Sequence, residues 1–200
     1  MIEISMTTFV DFVLASGTSR LTIVRNAKAT YQIRYDPARD FYRPLREAII
    51  EMHQSQRPRE SLDDLLLTLK DAKKTELFRE CIEAYKRWCG RKQFKWVRAY
   101  STDWQSGELV VRVNPELGMR VNGSPNVVKL YFKSETPSKR RLETMFHLLR
   151  SSFPKDLDGS MPGILDVRRG SLFSPTRDLP GIEALLVGEA AAFQTIWNQV

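Results

Sequence analysis

Through the first half of the chain, apolar residues recur three and four positions apart, the period of a helix with one buried face. Thr7-Thr8 cap a short segment, Phe9, Val10, Phe12, Val13 and Leu14, that stops at Gly17. Thr18 or Ser19 opens a second, with Leu21, Val24 and Lys28 on one side. Asp36-Pro37 reads as a helix start, because Asp accepts from orphan N–H groups and Pro at the first position forfeits no bond. The helix it opens carries Phe41, Leu45, Ala48, Ile49 and Met52, and ends before the polar stretch 54–58. Ser61-Leu62-Asp63-Asp64 resembles a capping box, with Asp for the usual Glu, ahead of Leu65, Leu66 and Leu69. A fifth stripe, Leu77, Phe78, Cys81, Ile82, Tyr85 and Trp88, runs up to Gly90, which is placed to terminate it. Five helices with short connections predict a bundle over residues 1–93.

Near Phe94 the period changes to two. Lys95–Tyr100 alternates with Trp96 and Tyr100 on one face, and Leu109, Val111 and Val113 alternate again after Gly107. Leu117, Met119 and Val121, then Asn122-Gly123, then Val128, Leu130 and Phe132 give the strongest hairpin signal in the chain. Pro125 belongs at the start of the return strand, where no central ladder bond is lost. Thr136-Pro137 opens a helix with Leu142, Met145, Phe146, Leu149 and Phe153 on its apolar face. Ile164, Leu165 and Val167 read as one more strand, and Pro180-Gly181 precedes a final helix bearing Ile182, Leu185, Leu186, Ala190, Phe193 and Trp197. The expectation is an α+β protein: a helical bundle, 1–93, packed on a C-terminal antiparallel sheet flanked by two helices, 94–200, with hairpin 117–133. No flexible linker separates the parts, so they can share one core.

Composition narrows the class. Two hundred residues, 42% of them apolar and 28% charged, suit a globular protein with a core of its own. Cys81 and Cys89 are the only cysteines. On one helix they stand roughly 12 Å apart along the axis, too far for a disulfide, which suits a reducing compartment. His53 and His147 lack metal-ligand spacing to each other or to the cysteines, so no metal or cofactor is expected. Glu3 and Asp11 are unlike a secretory leader and no apolar run matches a membrane span, so a cytoplasmic protein is expected. Residues 1–5 add little to any periodic pattern, which makes Met6 a second candidate start.

The charge is lopsided. Residues 1–100 hold 19 basic and 13 acidic side chains, residues 101–200 hold 12 and 11, and the net charge of the whole is +7. Between Ala84 and Tyr100 stand six Lys or Arg and no acid, interleaved with Tyr85, Trp88, Phe94, Trp96 and Tyr100. Cations neutralise phosphates and aromatic faces stack on bases, so Lys86, Arg87, Arg91, Lys92 and Lys95 are candidate nucleic-acid contacts. Part of this charge sits where a helix C-terminus favours cations in any case, and Trp88 fits the core stripe. Lys139, Arg140 and Arg141 form a second cluster at a helix start, where each cation costs on the order of 0.3–1 kcal/mol and an anion would relieve it. Both clusters flank the hairpin, and they are expected to merge on one face.

The strand–hairpin–helix–strand order of the second half resembles the core of PD-(D/E)XK-type nucleases. The resemblance implies a metal-binding acid at Glu116 and a second acid two residues before a lysine. Val127 precedes Lys129 at that spacing and Tyr131 precedes Lys133, so the second acid is missing; Asp166 on a later strand is the remaining carboxylate. One Glu does not hold a divalent cation. The reading is therefore a non-catalytic, basic, intracellular protein that binds nucleic acid or another polyanion. The alternatives are a divergent metal-dependent nuclease and an interaction module for an acidic protein.

Overall fold

A computed structural model describes residues 1–31, 40–151, 153, 159–176 and 179–200. The protein is α+β. Its α-helices are α1 (Met6–Leu14), α2 (Thr18–Tyr31), α3 (Arg43–Gln54), α4 (Asp64–Thr68), α5 (Ala72–Cys89), α6 (Lys139–Ser151) and α7 (Ile182–Gln199). A 3-10 turn, Arg59–Asp63, leads into α4. The strands are β1 (Ile2–Ser5), β2 (Phe94–Val97), β3 (Thr102–Ser106), β4 (Leu109–Val113), β5 (Leu117–Val121), β6 (Ser124–Tyr131), β7 (Met161–Asp166) and β8 (Ser171–Phe173).

The expectation of one antiparallel sheet needs correction: two sheets form, ordered β1-β4-β3 and β2-β5-β6-β7-β8. Each contains one parallel pair, β1 with β4 and β6 with β7. The β6–β7 pair is parallel because α6 fills the connection, and a helical crossover is what parallel neighbours require. The hairpin forms as expected, with Leu117 opposite Val128 and Asn122 and Gly123 at φ 50° and 89°, both in the left-handed region the tight turn demands.

Several boundaries move. Residues 1–5 are not idle, since Ile2 and Ile4 are buried in β1. The cap of α1 is Ser5, whose Oγ accepts from the Thr8 N–H at 3.1 Å, rather than Thr7 or Thr8. The start signal Asp36-Pro37 lies outside the described residues; α3 begins at Arg43 with Pro44 in its first turn, and Phe41 packs edge-on against Phe78 from outside it. Asp63 makes no cap bond to α4. Strand β2 stops at Val97, so Tyr100 is exposed rather than on its inner face.

The interior forms two apolar clusters, and each draws on both ends of the chain. One unites β1, α1 and α2 with Trp104, β4, Tyr131, α6, Ile164 and α7. The other unites Leu45, Ile49 and Met52 of α3 and the α5 stripe with Leu117, Met119, Val128, Leu130 and Leu165. Successive strand side chains point to opposite faces. Leu130 and Leu165 therefore meet α5 on one face of the five-stranded sheet, while Tyr131 and Ile164 meet α6 on the other.

Candidate anion-binding surface

The end of α5 shows what its cations do. Asp71 caps the helix start, accepting from the Lys74 N–H at 2.8 Å, and Gly90 ends it at φ 47°. The last carbonyls then lack intrahelical partners. The Lys92 ammonium donates to the Trp88 carbonyl and lies 5.4 Å from the centroid of that ring. The Arg59 guanidinium donates to the Gly90 carbonyl at 2.6 Å. Cations thus close the negative end of the helix dipole.

Lys86 is otherwise engaged. Its side chain is 15% exposed, and its ammonium donates to both oxygens of Asp63 at 2.7 and 2.6 Å. That pair locks the 3-10 turn to α5 and explains why Asp63 does not cap α4. Arg87, Arg91 and Lys95 are exposed, and among the described residues no carboxylate pairs with them. Beside them opens a cavity of about 500 Å³, lined by Arg57, Arg59, Lys92 and Lys95 together with Gln56 and Phe94. Its Arg57 is held only by an exposed pair with Asp64 at 2.9 Å, the kind that contributes about 0–1 kcal/mol.

Two further features shape this cavity. His53 lines it, buried on α3, with Nε2 2.6 Å from the Tyr85 hydroxyl. Burial lowers its pKa to about 4, so it is neutral near pH 7 and the positive charge comes from Arg and Lys alone. Gln56 stands at φ 51°, where the chain leaves α3. The Arg57 N–H donates to the Met52 carbonyl at 2.9 Å and the Gln56 N–H to the His53 carbonyl at 3.3 Å. This is a Schellman motif with Gln where Gly is usual, at a strain of about 1 kcal/mol.

The second cluster does not join the first. It starts α6, on the opposite face of the five-stranded sheet from α5. Arg141, with a side chain 12% exposed, donates to Asp11 of α1 at 2.7 Å, and Lys133 donates to the same carboxylate at 2.6 Å. Arg140 faces Glu189 of α7 at 3.9 Å, and Lys139 faces Glu143 at 3.9 Å. The merging of the two clusters around the hairpin is therefore corrected. Beside Lys139 lies a larger groove of about 860 Å³, walled by Leu142, Phe146, Phe173, Leu179 and Ile182.

The residues implied by the nuclease resemblance are occupied elsewhere. Glu116 accepts from the buried Lys129 ammonium at 2.5 Å through Oε1 and from the Leu130 N–H at 2.8 Å through Oε2. Asp166, fully buried, accepts from the Arg169 guanidinium at 2.9 Å and the Arg169 N–H at 3.2 Å. Val127, where the second acid would stand, is fully buried. Among the described residues no three of His, Cys, Asp or Glu gather as a metal site. Cys81 and Cys89 are free and buried, with thiols pushed up to about 11 by burial, so neither is a ready nucleophile.

Sequence reading missed Arg57, Arg59 and Gln56. The only available signal was Arg57-Pro58-Arg59 in a polar break, and nothing local shows that this break returns to the end of α5. No family model matches the chain, and no curated protein matches it. Among the described residues no helix is long and apolar enough to cross a membrane.

Proposed function

We propose that this protein binds nucleic acid or another polyanion, without catalysing a reaction on it, through the surface where α3 and α5 end and β2 begins. Arg87, Arg91, Lys92 and Lys95 contact phosphates, joined by Arg57 and Arg59. Lys86 serves as a brace, and Lys139, Arg140 and Arg141 stand outside this surface. The observation that carries the reading is the convergence of four cations on one cavity, Lys95 without a partner, Arg57 with only an exposed one, and Lys92 and Arg59 also holding α5 carbonyls, beside two exposed arginines without a carboxylate partner. A cytoplasmic location fits the two free thiols.

Fluorescence anisotropy with labelled oligonucleotides at low salt tests it. Binding is expected at tens of micromolar or tighter, the scale of non-specific contact, and it weakens as salt rises. Arg91→Glu should weaken binding to every sequence about three- to tenfold and flatten the salt slope by about 1, as loss of one phosphate contact does. Arg140→Glu should change neither. No binding of single or double strands at low salt would overturn the reading.

A second reading, an interaction module for an acidic partner, rests on the apolar groove beside Lys139. Under it, oligonucleotides fail to bind, and capture of an acidic amphipathic peptide is lost in Leu142→Asp but kept in Lys95→Glu.

A further inference from the structure

The cavity is more specific than a basic surface needs to be. A duplex turns its phosphates outward and keeps its bases stacked inside, so it is served by an open positive face. Here the cations line an open, mainly polar hollow of about 500 Å³. Its lining is chemically divided. Arg57, Lys92 and Lys95 bring charge, whereas the half-buried Phe94 and buried Met52 bring apolar surface. The Phe94 ring is held edge-on to His53, centroids 5.0 Å apart, and tilted against Trp88 at 5.3 Å. It is thus a rigid, pre-placed ring, the kind on which an unpaired base stacks.

Gln56 adds an independent observation. At φ 51° in a Schellman motif, Gly would sit without strain, yet the position carries an amide that lines the cavity. Among the described residues that amide has no hydrogen-bond partner. An amide offers both a donor and an acceptor, which is what reading a base edge requires. The residue is exposed, so its amide is free to meet a ligand, and strain of this kind clusters at ligand sites.

We propose, resting on the polyanion reading above, that the cavity takes one unpaired nucleotide of a single strand, its phosphate among Arg57, Lys92 and Lys95, its base against Phe94, its edge met by Gln56. The exposed Arg87 and Arg91 then guide the neighbouring phosphates. Neutral His53 forms part of the floor without adding charge.

The test compares a single strand of about 12 nucleotides, within the site sizes of such proteins, with a blunt duplex of the same length, by anisotropy on the intact chain. Electrostatics alone favours the duplex, which carries more charge per unit length. The proposal expects the single strand to bind at least about tenfold tighter, as one stacked base provides. Phe94→Leu should erase most of that preference and leave duplex binding unchanged. Gln56→Gly separates the roles most sharply. Relief of strain should raise the Tm by about 2–4 °C, while single-strand affinity falls about three- to tenfold, the worth of one hydrogen bond. A Gln56→Gly variant that is more stable and binds as before would overturn the proposal, as would equal or tighter binding of the duplex. Both results leave the polyanion reading standing; failure of both oligonucleotides to bind removes that reading as well.

Discussion

Five cations spread over residues 86–95 at the end of α5, three stand in a row at the start of α6, and the fold treats the two groups differently. At the end of α5 the helix dipole favours positive charge: Arg59 and Lys92 settle the last carbonyls, Lys86 pairs with Asp63, and Arg87, Arg91 and Lys95 are left facing water. At the start of α6 the dipole opposes it, and carboxylates arrive from other elements: Asp11 from α1, Glu189 from α7 and Glu143 from the next turn. Asp11 binds two cations and so joins α1 to α6. The difference teaches that a basic run is informative about binding only after its internal partners have been subtracted. Charge favoured by backbone electrostatics can stay open to a ligand. Of the charge placed against them, Arg141 is drawn into the structure, while Lys139 and Arg140 stay exposed beside a distant carboxylate.

This contrast can be broken at several points. The largest expected effect is on the α5 side and concerns pH. His53 stays neutral in the folded protein down to about pH 4, whereas in the unfolded chain it protonates below the ordinary histidine value of 6.5. The unfolded state therefore binds more protons between those values, and stability falls as pH drops through that window. Between pH 7.5 and 4.5 the loss from this residue should be on the order of 2–3 kcal/mol. Urea titrations at the two pH values check it, with His53→Gln as the control that keeps a partner for Tyr85. Parallel losses in both proteins would show that the α5 side has no special acid sensitivity.

Next comes Asp11→Ala, which leaves Lys133 and Arg141 without their shared carboxylate. Breaking a buried pair costs about 3–5 kcal/mol and an exposed one about 0–1, so this partly buried network should lose about 2 kcal/mol in urea unfolding at neutral pH. An unchanged midpoint would mean that the second cluster is as loosely held as the first. The smallest effect is expected for Arg87→Ala and Arg91→Ala, which should each shift stability by no more than about 0.5 kcal/mol, as surface substitutions do. A loss as large as that of Asp11→Ala would place them in the scaffold and remove them from the binding surface.

How much of this is readable from the residues alone varies by element. The α5 stripe and the Asn122-Gly123 hairpin were legible because each is specified by neighbours in sequence. β1 and β8 were not, since four and three residues are too few to show a period and both exist by pairing with distant strands. The parallel pairs likewise follow from tertiary closure, which no local pattern encodes. Within the site, the exposed charge of Arg87, Arg91, Lys92 and Lys95 was visible. Lys86 and Arg141 were indistinguishable from them, because Asp63 lies 23 residues from the one and Asp11 lies 130 from the other. Arg57, Arg59 and Gln56 were missed for the same reason.

The pairing of β1 with β4 sets a timetable for folding during synthesis. Ile2 leaves the ribosome more than a hundred residues before its partner Leu109. The cluster they share is completed by Phe193 of α7. At about 5–20 residues per second, α1 and α2 wait several seconds for their sheet and longer for their last wall. The buried members of the α5 cluster end at Val167, with Leu172 packed on its margin, so it can close first. The nascent chain thus carries Phe9, Phe12 and Val13 uncovered while the basic face is already taking shape, and a segment made before the α5 cluster is sealed after it.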